Sequence, residues 1–278
     1  MKQIIQRYPI WSFLIINYAI SWSFLYPSYQ LILAHDGITP LALIGFIGAY
    51  GPSIAAIIVQ SILDKEKLNP LLRSLIRIKT SWQVILFVLI VPILLYVLAY
   101  LMSATFLGGN LSFSWLAGLS SLPLWVLLAL PFGPMGEELG WRGFLLPKLL
   151  ARYSIFKSTL LVGLAWGVWH MASFTFPGAA LPSFFEVSIW TIFLYFLNTI
   201  GLSFVFTYVH LQTNGSTFYA ILLHAFFNVS SNVVVGLFGE TDHFPLLLSS
   251  YVINFILAAI CGYVMVNRHS AQKSSMIT

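Results

Sequence analysis

Eight stretches of about twenty apolar residues run through the chain, and only 8% of its 278 residues are charged. A helix of that length crosses the roughly 30 Å hydrocarbon core of a bilayer. Barrel strands would instead alternate apolar and polar residues over about ten positions. The stretches lie near 9–33, 38–63, 82–102, 120–147, 157–174, 186–211, 216–238 and 246–267, and none of them alternates. Soluble domains carry about 25% charged residues, so a soluble protein is excluded. The expected fold is an all-α polytopic membrane bundle of about eight transmembrane helices, with residues 1–278 as one domain. Gly51-Pro52 in the second stretch and Pro123, Pro131 and Pro134 in the fourth predict kinks.

The basic residues test the helix count. With the N-terminus in the cytoplasm, eight spans leave Lys2, Arg7, Lys65, Lys67, Arg73, Arg77, Lys79, Lys148, Arg152, Lys157, Arg268 and Lys273 inside, with Arg142 toward the inner end of the fourth. The outer connections hold only the acids Asp36, Glu186, Glu240 and Asp242. This obeys the positive-inside rule and predicts a multi-pass cell-membrane protein with both termini cytoplasmic. The formal charge of +5 is thus a topology signal, not the mark of a nucleic-acid partner. The N-terminal basic start is followed by no small-residue cleavage site, so the first stretch reads as a retained helix. The single Cys261 lies in an apolar run and reads as packing. Between Asp64 and Lys79, Leu68, Leu71, Leu72, Leu75 and Ile76 recur at helical spacing. That pattern fits either an amphipathic helix on the inner membrane surface or a solvated basic loop.

Two adjacent acids, Glu137 and Glu138, stand in the fourth stretch, and an ionised carboxylate in hydrocarbon costs roughly 2.5 kcal/mol or more. Arg142 follows Glu138 by four residues, on the same helix face, in the better orientation for an ion pair. Glu137 points about 100° away and lacks that partner. His170 follows Trp166 by four residues, and His224 precedes Asn228 by four. Along their helices Glu137, His170 and His224 lie about 16, 20 and 12 Å from the basic side. Neighbouring helices would bring them into one layer in the inner half of the membrane. The outer halves read as nearly bare of polar groups. Polar residues at matched depth inside a membrane mark a functional site.

The segment GEELGWRGFLLPKL resembles the EExxxR motif of the CPBP family, the intramembrane glutamic proteases that include Rce1-type CAAX endopeptidases and bacterial Abi proteins. WGVWH is similar to that family's FxxxH motif, with Trp166 in place of Phe, and HAFFN is similar to its HxxxN motif. The Phe-to-Trp exchange alters packing under His170 and removes no polar atom. The resemblance covers about 120–232 and implies an intramembrane endopeptidase without a cofactor. Glu137 would be the general base and His170 would hold the same water. His224 and Asn228 would face the oxyanion, with Glu138 and Arg142 in support. A membrane-bound protein or peptide, prenylated and CAAX-like or not, would be the substrate, reached through a cavity open to the cytoplasm. Two rival readings remain. A divalent metal such as zinc could be held by the Glu and His side chains, although there is no HExxH. A transporter or non-catalytic immunity protein could use the same scaffold, although no inverted repeat is visible.

Overall fold

The computed structural model of the chain describes residues 2–35, 39–106, 115–176, 187–238 and 243–275, without the side chains at 115–121, 231–232, 235–238, 243–244 and 268–275. Asp36, Glu186, Glu240 and Asp242, the acids of the expected outer connections, lie outside the described residues, as do the side chains of Arg268 and Lys273. Every regular element among the described residues is helical. In chain order they are α1 (Lys2–Arg7), α2 (Pro9–Ala34), α3 (Gly45–Ala49), α4 (Gly51–Leu63), α5 (Leu68–Arg73), α6 (Trp82–Phe106) and α7 (Trp115–Ala129). There follow α8 (Pro134–Glu138), α9 (Leu146–Leu150), α10 (Ile155–Trp169), α11 (Ala172–Thr175), α12 (Ile189–Gln212), α13 (Thr217–Phe238) and α14 (His243–Ser275).

Local chemistry sets several of the boundaries. Ser154 caps α10 by accepting the Lys157 N–H at 3.3 Å, and Ser188 opens α12 in a capping box with Thr191. Pro9, Pro52 and Pro134 stand in the first turns of α2, α4 and α8, where a missing N–H costs nothing. Both expected kinks are present. The pair Leu41–Ala49 and Gly51–Leu63 bends by 52° at the Gly51-Pro52 step. The fourth stretch breaks at 130–133 and then widens into a π-helical turn over Leu139–Leu145 before α9. Such widened turns gather at functional sites. By length and composition α6, α12 and 245–267 of α14 can each cross a bilayer, and the bent pair makes a fourth.

Between helices in lipid the hydrophobic effect supplies little, so packing and interhelical hydrogen bonds must hold the bundle. Three such bonds clamp α2 to α10. Tyr18 donates to the Ala165 carbonyl at 2.8 Å, Trp22 Nε1 to the Trp169 carbonyl at 3.1 Å, and Trp169 Nε1 to Ser21 Oγ at 2.7 Å. Thr159 donates to Thr207 at 3.1 Å between α10 and α12, and Asn254 Nδ2 to Asn198 Oδ1 at 3.1 Å between α14 and α12. The core centres on the π-turn, where fully buried Trp141 meets Phe13 edge-on at 5.6 Å. Large apolar side chains such as Trp11, Ile90, Leu94, Ile256 and Ile260 stay exposed, as lipid-facing residues should.

The Asp64–Lys79 excursion is helical in part and tied to the bundle, which settles the choice between surface helix and solvated loop in favour of neither. Ser74 and Thr217 share a hydrogen bond of 2.6 Å, Ser216 donates to the Arg77 carbonyl at 2.6 Å, and Tyr219 to the Ile78 carbonyl at 2.7 Å. Leu71 and Ser74 are buried as a result, whereas Ile76 and Ile78 remain exposed.

Candidate active site

Glu137 is delivered by the short helix that follows the break. Gly133 precedes it with φ +151°, a region open only to glycine, and its carbonyl accepts the Glu137 N–H at 2.9 Å. A Cβ on Gly133 would lie 3.1 Å from Glu137 Oε1 and 4.0 Å from Asn228 Nδ2. The absence of a side chain there keeps open the space between that carboxylate and that amide. The Glu137 carboxylate is 4% exposed, and its Oε2 accepts Trp166 Nε1–H at 2.7 Å.

Glu138 turns the other way, as helix geometry requires. Arg142 Nη1 donates to its Oε1 at 2.9 Å and Oε2 at 3.0 Å, and His224 Nδ1 donates to Oε1 at 2.8 Å. All three groups are buried. The Arg142 guanidinium lies between the rings of Phe206, 4.0 Å from the centroid, and Trp166, 4.4 Å. Stacking of this kind suits the weakly hydrated guanidinium.

His170 closes the end of α10. Its Nδ1 lies 2.9 Å from the Trp166 carbonyl, which can only accept, so Nδ1 carries the proton and Nε2 of the neutral ring is an acceptor. The same logic applies to His224. With Nδ1–H committed to Glu138, Nε2 donates only when the ring is doubly protonated, whereas the Asn228 amide can donate in either case.

Three of the expected site residues, Glu137, His170 and His224, thus meet around Trp166. Trp166 binds Glu137 with its indole N–H and His170 with its carbonyl, and its ring meets His224 edge-on at 5.5 Å. Read from the sequence, this exchange of Phe for Trp removes no polar atom; in the structure it adds one, the N–H on the carboxylate. A lone motif departure held that signal, but only the fold shows where the N–H points. Trp166, His170, His224 and Asn228 line one cavity of about 440 Å³.

The cavity continues past Phe206 and Leu202 to Tyr195, Asn198, Tyr251 and Asn254. The halves of α12 and α14 expected to be outer are therefore not bare: they hold the buried Asn198–Asn254 pair. Two intramembrane amides could have been found by the same reasoning that found the histidines. Their meeting depends on the pairing of α12 with α14, which the sequence does not reveal. The cavity also runs toward the N-terminal ends of α12 and α14, away from the end of the bundle that carries Arg77, Asn214 and Thr217.

Among the described residues no three His, Cys, Asp or Glu side chains converge on one point. Glu138 is held by Arg142 and His224, and Glu137 faces the other way toward Trp166.

A buried carboxylate thus stands beside a cavity that two histidines and an amide line, within a helical bundle. Residues 118–230 match the family described as type II CAAX prenyl endopeptidase Rce1-like. The CAAX prenyl protease 2 of Methanococcus maripaludis is 30% identical over 177 residues, which are 62% of this chain and 63% of that protein. The match therefore spans less than two thirds of the relative. The likeness to the Rce1-like family thus lies in the motif-bearing part of the chain.

Proposed function

We propose that the chain is an intramembrane endopeptidase of the glutamic type, acting on a membrane-associated protein or peptide. One observation carries the reading: Trp166 holds Glu137 and His170 together at the wall of the cavity that His224 and Asn228 enter from α13. A water between Glu137 and His170 Nε2 would lose a proton to the carboxylate as it attacks the peptide carbonyl. The oxyanion forms opposite, where Asn228 Nδ2 and the doubly protonated ring of His224 donate to it. Glu138 and Arg142 orient His224 and touch no reacting atom. The proton on Glu137 then passes to the leaving amine, so the carboxylate is regenerated.

The family relationship supports a prenylated, CAAX-like substrate, and the curated relative is named for that activity. Apolar and aromatic side chains, the buried Phe206 and Phe227 and the half-buried Leu202 and Leu247 among them, line the cavity and suit a lipid-proximal peptide. Eight spans with cytoplasmic ends remain part of the proposal.

Glu137→Gln tests the base. The amide keeps the shape and can still accept from Trp166, but takes no proton from water. Purified protein in detergent should lose measurable cleavage of a prenylated peptide while its melting temperature stays unchanged. Turnover at the wild-type rate would overturn the assignment. No metal takes part in this scheme, so activity should survive exhaustive dialysis against EDTA. Loss on chelation with recovery on adding one equivalent of zinc would install the metal mechanism instead.

A further inference from the structure

A second cavity, of about 540 Å³, lies at the basic end of the bundle and contains none of the motif residues assigned to catalysis. Three cations from separate segments line it: Lys67 before α5, Arg77 after it, and Lys148 on α9. The positive-inside rule explains why bases sit at this end. It does not explain why three of them converge on one hollow. Asp64 pairs with Lys67 at 3.2 Å, and Arg77 spends its Nη1 on the Asn214 carbonyl. Among the described residues Lys148 has no carboxylate within ion-pair distance, and it lies over the Phe144 ring at 4.8 Å. Burial, and then the charges of Lys67 and Arg152, push its ammonium below the ordinary lysine value.

The floor of the hollow is built as well as charged. His210 lines it at 6% exposure, and its Nδ1 has no hydrogen-bond partner among the described residues. Gly215 has φ +81°, and a Cβ there would stand 3.5 Å from both Arg77 Nη1 and His210 Cε1. Glycine thus keeps open the space between these two groups. Ile76 and Ile78, the chain neighbours of Arg77, are 75% and 60% exposed, apolar side chains next to one of the charges. Clustered bases between membrane helices, near exposed apolar side chains, suit a phosphate at the level of lipid headgroups.

We propose that this cavity binds a phosphate group, carried by an anionic phospholipid or supplied as free phosphate, with Lys67, Arg77 and Lys148 as its partners. The full chain, purified in detergent, is titrated with dihexanoyl phosphatidylglycerol, with inorganic phosphate, and with sodium chloride at matched ionic strength, and its thermal midpoint is followed. An uncharged alkyl glucoside controls for surfactant effects. The wild type should be stabilised beyond both controls. Lys148→Gln, which breaks no hydrogen bond, and Arg77→Gln should each weaken the apparent affinity about fivefold. Lys65→Gln, outside the cavity, and Glu137→Gln, in the active site, should keep the full response. A response to the lipid alone makes the phospholipid the ligand; a response to both makes the phosphate group sufficient. No response beyond the controls, or an undiminished one in Lys148→Gln and Arg77→Gln, overturns the proposal.

Discussion

Trp166 decides more at this site than its apolar character suggests. A buried carboxylate needs a donor, and the indole N–H meets Glu137 Oε2 at 2.7 Å, while Arg142 is committed to Glu138. Trp166→Phe restores the residue usual in the motif and deletes that donor. A hydrogen bond to a charged group is worth about 1.5–3 kcal/mol, so kcat should fall about tenfold to a hundredfold with little change in KM. Peptide-cleavage kinetics measure this. Unchanged kcat would mean that the indole only fills space. Residue spacing in the sequence placed Glu138 beside Arg142, but it could not show that His224, 86 positions away, donates to the same carboxylate.

At the scale of elements, the fourth stretch is the informative one. Adjacent residues on a helix diverge by about 100°, so the two glutamates face different neighbours. The segment between the break at 130–133 and the π-turn sets Glu137 against Trp166 and Glu138 against His224. The Glu138–Arg142–His224 cluster therefore joins this segment to α13, and removing one partner leaves a buried charge exposed to no compensation. Glu138→Gln and Arg142→Ala should each cost about 3–5 kcal/mol of stability, seen as a lower melting temperature in detergent. Glu137→Gln should show no such drop. Equal melting temperatures for all three variants would refute the separate roles given to the two acids. The prolines and Gly51-Pro52 made the kinks legible in the sequence; the π-turn, in which Trp141 and Arg142 are fully buried, has no signal of that kind.

For the whole molecule, the question is which side the cavity serves. Depth along each helix was readable from residue counts, and the motif residues do share a layer. The described lining of the cavity extends from Phe206 and His224 toward the N-terminal ends of α12 and α14, and the expected opening on the basic, cytoplasmic side is a matter for experiment. Counting residues gives distance from an end, but not the direction in which neighbouring helices part. Single cysteines read the direction, because native Cys261 is buried. In intact cells an impermeant maleimide should label Leu247→Cys and spare Asn214→Cys, which should react only after permeabilisation. Labelling of Asn214→Cys alone would reverse the orientation drawn from the basic residues.

Composition and periodicity alone determined the class, the helices to within a few residues, the kinks and the polar groups that had to be explained. These follow from local physics: apolar length, helical spacing, missing proline N–H groups and the cost of charge in lipid. Tertiary structure alone decided that Trp166 joins Glu137 to His170, that His224 leans on Glu138, and that Asn198 and Asn254 extend the cavity. It also gathered Lys67, Arg77 and Lys148 around one hollow. Each of these depends on which helix faces which, and in lipid that choice is made by close packing and interhelical hydrogen bonds, which leave no periodic trace along the chain.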